Sequence, residues 1–234
     1  MTDETSMEAV KAAILRASLA HVPFDGWSEA SFRAAIADSG VPAELARALY
    51  PRGAVDLALA YHLDGDLRML DALAARDLST LRFRDRIALA VRLRLEACED
   101  KELVRRGSAL FSLPHHAADG ARAIWGTADA IWRALGDTST DINWYSKRAT
   151  LSAVYSATAL YWLGDASPDH AATWDFLDRR IDNVMQIEKL KAGLRDNAFG
   201  KALFAGPMKI LDRIKAPAAH DDLPGHVAPT QPRR

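Results

Sequence analysis

Apolar residues recur at spacings of three and four along almost the whole chain, and β-branched residues never alternate with polar ones over five or six positions. Only an amphipathic helix buries that pattern on one face, so the sequence predicts an all-α protein. Five prolines (Pro23, Pro42, Pro51, Pro114 and Pro168) fall between the periodic segments, where a fixed φ and a missing N–H are tolerated. The segments they delimit run over 6–21, 28–38, 42–49, 53–76, 82–105, 115–135, 141–163 and 168–193. An isolated stretch follows at 196–215. The last residues, 216–234, hold four prolines and almost no large apolar groups, and are expected to be disordered.

Residues 28–49 read as two short helices around Asp38-Ser39-Gly40-Val41, with Gly40 free to take positive φ and Pro42 opening the second. With the helix before them and Tyr50-Pro51-Arg52-Gly53 after, they resemble the N-terminal helix-turn-helix module of TetR-type ligand-responsive repressors. The expected division is a 1–50 helix-turn-helix-like module, a 51–195 helical bundle, a 196–215 amphipathic helix and the 216–234 tail. A repressor needs cations where its second helix meets phosphate. Residues 1–50 carry Lys11, Arg16, Arg33 and Arg47 against Asp3, Glu4, Glu8, Asp25, Glu29, Asp38 and Glu44, a net charge of −3. That balance opposes nucleic-acid binding, and the chain as a whole, with 30 basic and 31 acidic residues, offers no general attraction. The single cysteine, Cys98, cannot close an internal disulfide and reads as a small buried residue.

Catalytic patterns are missing. A di-iron bundle needs Glu-x-x-His, yet none of the seven histidines has a carboxylate three residues before it. His115-His116 with Asp119 is the nearest approach to a metal cluster, and a polar helix start after Pro114 accounts for it. No Gly-x-Gly, phosphate-binding loop or Gly-x-Ser-x-Gly occurs. Glu96, Glu99 and Glu102 lie among Arg92, Arg94, Lys101, Arg105 and Arg106 at helical spacing, the pattern of an ion-paired face. No catalytic group, cofactor site or metal site is expected, and an enzyme would need a group that the sequence does not advertise.

Five of the six tryptophans lie between 125 and 174. Trp125 and Trp132 share one helical face. Trp144, Leu151, Tyr155, Thr158 and Trp162 form another stripe, suited to a core or to the wall of an apolar ligand cavity. Tyr145 lies 100° round the helix from Trp144, on a stripe with Arg148, Ser152, Ser156 and Ala159, and is expected at or near the surface. Beside Lys147 and Arg148, an exposed Trp144-Tyr145 pair would resemble an interaction hot spot, although packing on a neighbouring helix fits the period equally well.

Four motifs carry a family resemblance: Trp125-Gly-Thr-Ala-Asp-Ala-Ile-Trp132-Arg; Asp137-Thr-Ser-Thr-Asp-Ile-Asn-Trp144-Tyr145-Ser-Lys-Arg-Ala-Thr-Leu; Val154-Tyr155 to Tyr161-Trp162; and Trp174-Asp-Phe-Leu-Asp-Arg-Arg-Ile-Asp-Asn-Val. With Phe24-Asp-Gly-Trp27-Ser, they make the chain resemble the Coq-nine family of lipid-binding accessory proteins of ubiquinone biosynthesis, from about residue 10 to 215. The resemblance implies a TetR-like fold without DNA binding, an apolar cavity for an isoprenoid quinone precursor or phospholipid, and partnership with the demethoxyubiquinone hydroxylase. It places Trp144 and Tyr145 on the hydroxylase-facing patch, with Lys147 and Arg148 as flanking motif positions. Ser146 stands where many members have Thr.

Residues 198–215 carry large apolar groups at Phe199, Leu203, Phe204, Met208, Ile210, Leu211 and Ile214, with Lys201, Lys209, Arg213 and Lys215 against Asp212, a net +3. An apolar face with a cationic border describes a helix lying in a membrane interface. Phe199, Lys201, Leu203, Phe204, Met208, Lys209, Leu211 and Ile214 are the expected membrane contacts. Pro207, Gly200 and Gly206 weaken the helix in water, and docking on the bundle or on a second subunit would satisfy the same face. No stretch reaches the roughly 18 apolar residues of a membrane span, and the acidic N-terminus lacks a signal-like leader. The combined expectation is a non-enzymatic, homodimeric lipid carrier, cytoplasmic and peripheral on the inner face of the cytoplasmic membrane. A TetR-type repressor is the alternative.

Overall fold

The computed structural model describes residues 2–196 and 215–217. Ten α-helices and a single 3₁₀ turn, Pro168–His170, make up the described residues, with no strand among them. The helices are α1 (Thr2–Ser18), α2 (Val22–Asp25), α3 (Glu29–Ser39), α4 (Ala43–Leu49), α5 (Ala54–Ala74), α6 (Phe83–Glu96), α7 (Lys101–Phe111), α8 (Ala117–Ala134), α9 (Ile142–Gly164) and α10 (Ala171–Asp196). None of them is long and apolar enough to cross a membrane. The amphipathic stretch expected at 198–215, with Phe199, Lys201, Leu203, Phe204, Met208, Lys209, Leu211 and Ile214, lies outside the described residues except for Lys215, and so does the tail beyond Pro217.

Local chemistry explains several helix ends. Ser28 and Ser31 form a reciprocal capping box at the start of α3, and Gly40 ends it at φ +67°, the left-handed conformation that glycine adopts without strain. Asp141 caps α9 by accepting the Asn143 N–H at 3.0 Å. The segment expected as one helix over 82–105 is instead two, α6 and α7. Asp100 caps α7 from the Glu102 N–H at 2.8 Å, and the bend sends the two halves into different cores: Leu93 and Leu95 into one, Leu103 into the other.

Those two cores organise the molecule. The first gathers Ile14, Val22, Phe32, Ala46, Leu57 and Leu103; the second gathers Met69, Val91, Leu95, Ile131, Tyr155 and Ile181 among others. Each fully buried Leu, Ile, Met or Phe contributes about 1.5–3 kcal/mol, so both cores are substantial. The helix-turn-helix module is not closed within its own residues. Leu57 of α5 and Leu103 of α7 complete its core, and the Trp27 indole N–H donates to the Leu103 carbonyl at 3.1 Å. Helix α5 belongs to both cores, through Leu57 at one end and Met69 at the other.

Midway along α5, Gly65 lies against the Arg94 guanidinium, and a Cβ there would fall 2.6 Å from Nη1 and 2.7 Å from Cζ. In an exposed helix Gly→Ala stabilises by about 1 kcal/mol. Here the methyl meets a buried, doubly anchored cation that cannot withdraw, so the sign reverses. Gly65→Ala is expected to lower the urea midpoint by the equivalent of roughly 1–3 kcal/mol at unchanged slope.

Candidate functional site

A cavity of about 400 Å³ opens where the two cores meet. Helix α5 supplies Ala58, Tyr61 and His62; α7 supplies Leu103, Gly107 and Phe111; α8 supplies Gly120 and Ala123; α9 supplies Tyr155, Ala159 and Leu160. Space exists because small residues stand at facing positions. At Gly120 a Cβ would be only 2.7 Å from Phe111 Cβ, so the glycine sets how closely α7 and α8 approach. Leu160, 65% exposed, stands at the mouth.

The wall is largely apolar, with Ser108, Ser112 and Ser156 adding hydroxyls and one charged locus beside them. Arg94, 3% exposed, donates from Nε to Asp66 Oδ1 at 2.5 Å and from Nη2 to the His62 carbonyl at 2.9 Å. The Thr127 hydroxyl donates to Asp66 Oδ1 at 2.9 Å and lies 2.8 Å from His62 Nε2. A hydroxyl that gives its one proton to Asp66 must accept from His62, which assigns the His62 proton to Nε2. Burial, reinforced by Arg94 and only partly opposed by Asp66, pulls the His62 pKa down to about 4, so the imidazole is neutral. Burial also raises the Cys98 thiol and pushes Tyr155 up to about 12. The Tyr61 hydroxyl is buried with no hydrogen-bond partner among the described residues. Apart from the matched Arg94–Asp66 pair, this locus carries no charge. The described residues hold no group of three or more His, Cys, Asp or Glu placed for a metal ion. Such an arrangement is suited to holding an apolar molecule.

Tyr61, His62 and Asp66 stand in no motif of the sequence, and Arg94, which reads there as part of an ion-paired surface face, is instead buried and paired with Asp66. Their one signal was available: Arg94 stands between Leu93 and Leu95 on the stripe of Ala90 and Val91, where a charge has no business unless it is matched.

The second feature is an aromatic patch at the start of α9. Trp144 packs edge-on to Tyr145 with ring centroids 4.8 Å apart, and Trp125 of α8 lies 5.9 Å from Trp144 and 6.4 Å from Tyr145. Both residues of the pair are half-buried. The Tyr145 hydroxyl donates to the Lys215 carbonyl at 3.3 Å, and the Ala216 N–H donates to the Thr140 carbonyl at 2.8 Å, so residues 215–217 lie along this edge.

Arg148 departs from expectation. Instead of the surface, it occupies the interior at 1% exposure, its guanidinium 4.0 Å from the centroid of Trp144. Nε donates to Asp129 at 2.6 Å and Nη1 to Asp137 at 3.0 Å. Two carboxylates outweigh the desolvation that would otherwise hold an arginine outside. Lys147 is half-buried and tied to Asp137 at 2.7 Å and Ser139 at 2.6 Å. Burial would raise the Asp137 carboxyl, but hydrogen bonds from Lys147, Ser139 and Arg148 hold it well below the usual carboxylate range. Arg148 therefore supports Trp144 from beneath, and the accessible part of the patch is aromatic.

Two measurements check these geometries. His62 is neutral in the fold but titrates near 6.5 when unfolded, so the unfolded chain binds more protons between those values. Stability is expected to fall by roughly 3 kcal/mol as pH drops from 6.5 towards 4, and His62→Gln should flatten that slope. Asp137→Ala leaves buried Arg148 half compensated; it should cost about 3–5 kcal/mol in denaturant titration and change the near-ultraviolet circular dichroism of Trp144.

The chain is similar to known proteins over much of its length. A family model described as COQ9 matches residues 117–188, covering α8, α9 and the first part of α10. The chain is 31% identical over 194 residues to the ubiquinone biosynthesis protein COQ9, mitochondrial, of Drosophila melanogaster, which spans 80% of this chain and 59% of that protein. A probable ubiquinone biosynthesis protein coq9, mitochondrial, of Dictyostelium discoideum is 31% identical over 80% of this chain and 63% of its own length. The human COQ9 protein is 28% identical over 88% of this chain and 66% of its own. The chain thus spans about three fifths of the length of the curated relatives first matched. Among solved structures, a TetR transcriptional regulator from Nitrosomonas europaea ATCC 19718 superposes with a TM-score of 0.60 at 20% identity, over 74% of this chain and 95% of that one, and so shares the fold.

Proposed function

We propose, from the similarity to COQ9 proteins, that the chain serves ubiquinone biosynthesis as a non-enzymatic accessory protein that binds a lipid, an isoprenoid quinone precursor or a phospholipid, and presents it to the demethoxyubiquinone hydroxylase. The observation that carries this reading is the cavity of about 400 Å³ between the cores, apolar over most of its wall and opening beside an exposed leucine. Moving an apolar tail from bilayer to such a wall exposes little hydrocarbon to water, so the transfer is nearly neutral in free energy. The protein's contribution is binding and delivery.

Trp144 and Tyr145 offer the hydroxylase a rigid aromatic surface of low entropic cost, with Lys147 at its edge. Residues 198–215 provide the peripheral membrane contact, on the inner face of the cytoplasmic membrane, through their apolar residues and net +3 charge. A second copy of the chain completes a homodimer. The shared fold of a transcriptional regulator does not carry its function across: residues 1–50 are net −3, and Arg47 of α4 is already paired with Glu29 at 2.7 Å.

Two substitutions separate the parts. Phe204→Glu is expected to lower co-sedimentation with anionic liposomes severalfold while helicity is retained; unchanged sedimentation counts against the membrane contact. Tyr145→Lys should abolish capture of the hydroxylase with lipid binding intact, and undiminished capture removes the patch from the interface.

A further inference from the structure

Residues 215–217 are held to the molecule through a single peptide group. The Lys215 carbonyl accepts from the Tyr145 hydroxyl at 3.3 Å, and the N–H of the same peptide unit, on Ala216, donates to the Thr140 carbonyl at 2.8 Å. In a trans peptide the C=O and N–H point to opposite sides, so the unit is clamped between α9 and the loop before it. Only main-chain atoms of the segment take part. The clamp therefore recognises an extended backbone rather than a particular side chain, as strand-type peptide docking does.

Both halves of this contact are preset. Pro217 biases Ala216 away from the helical region and has no N–H of its own, and none of the three residues is helical. On the other side, Asp137 accepts from Ser139 Oγ at 2.8 Å and from Lys147 Nζ at 2.7 Å, and its own N–H donates to the Trp132 carbonyl at 2.9 Å. Asp141 is fixed as the cap of α9. The Thr140 carbonyl is thus presented from between pinned neighbours.

What the segment occupies decides its consequence. Tyr145 is part of the aromatic patch, its ring centroid 4.8 Å from Trp144 and 6.4 Å from Trp125. Its hydroxyl is the polar end of that ring and has one proton to give. With that proton given to Lys215 and the Thr140 carbonyl taken by Ala216, an incoming chain finds the polar edge of the patch already in use.

We propose that residues 215–217 form an autoinhibitory strap, which fills the peptide-binding edge of the Trp144–Tyr145 patch in cis and is displaced by an extended segment of the docking partner. The proposal rests on the reading of this patch as the hydroxylase-facing surface and adds what holds the patch in check. A partner that needs the open form binds with an affinity reduced by the fraction of molecules whose strap is released.

The dissociation constant of the full-length protein for the hydroxylase, measured with two opposed variants, tests this. Ala216→Pro deletes the donor to Thr140 and should tighten binding about three- to tenfold, the weight of an exposed hydrogen bond or two. Thr140→Cys combined with Ala216→Cys, at residues one backbone hydrogen bond apart, should lock the strap on oxidation and weaken binding about fivefold or more, with full recovery in dithiothreitol. Recovery on reduction excludes a folding defect as the cause. Binding unchanged in both variants, or weaker in Ala216→Pro, overturns the strap, while loss of binding in Tyr145→Lys keeps the patch. Undiminished binding in Tyr145→Lys removes the patch reading, and the strap, with nothing to compete against, falls with it.

Discussion

A guanidinium with 3% exposure has to be neutralised where it stands, and the Arg94–Asp66 pair does this at the junction on which the molecule turns. Asp66 comes from α5, a long helix shared by both cores, and Arg94 from α6; Thr127 of α8 closes the set. Glycine at position 65 follows from it, since any Cβ there would strike the guanidinium. So does the neutrality of His62, which burial and the nearby cation together prevent from taking a proton. A buried ion pair adds little net stability compared with apolar residues of the same volume. What it contributes here is position: three helices are held at a fixed separation around space that their small residues leave unfilled.

The same device recurs beneath the aromatic patch. Arg148 is sunk below Trp144 and matched by Asp129 and Asp137, so the cation orders the indole from inside while the outer surface stays apolar. In both places charge is hidden and aromatic or aliphatic surface is presented. That division would suit the proposed carrier: polar groups fix geometry, and apolar groups are left to meet a ligand or partner.

Features set by short-range chemistry were legible in the sequence. The turn at Gly40, the start of α9 at Asp141 and the stripe from Trp144 through Tyr155 to Trp162 all follow from period and capping alone, and the motifs around Trp132 and Trp144 fall within the stretch that matches the COQ9 model. Features that depend on partners distant in sequence were not. The break between α6 and α7 was passed over because Glu99-Asp100-Lys101-Glu102 holds no Pro or Gly and reads as the charged face of a continuous helix, and only the existence of two cores separates Leu95 from Leu103. Arg148 read as a surface cation because its carboxylates, 11 and 19 residues away, are on other elements. A cavity was expected, but its lining residues were not legible, because a packed core and a hollow one have the same hydrophobic period; what distinguishes them is small residues on facing helices, and facing is a tertiary property.

The central claim is that the space between the cores carries a lipid. Native mass spectrometry of the protein purified from cells, followed by organic extraction and identification of what is released, addresses it most directly. The expected result is a discrete mass increment per subunit that extraction resolves into an isoprenoid quinone species, lost when Leu160 is replaced by lysine. A protein of unmodified mass that also stays empty after incubation with quinone-loaded vesicles would contradict it.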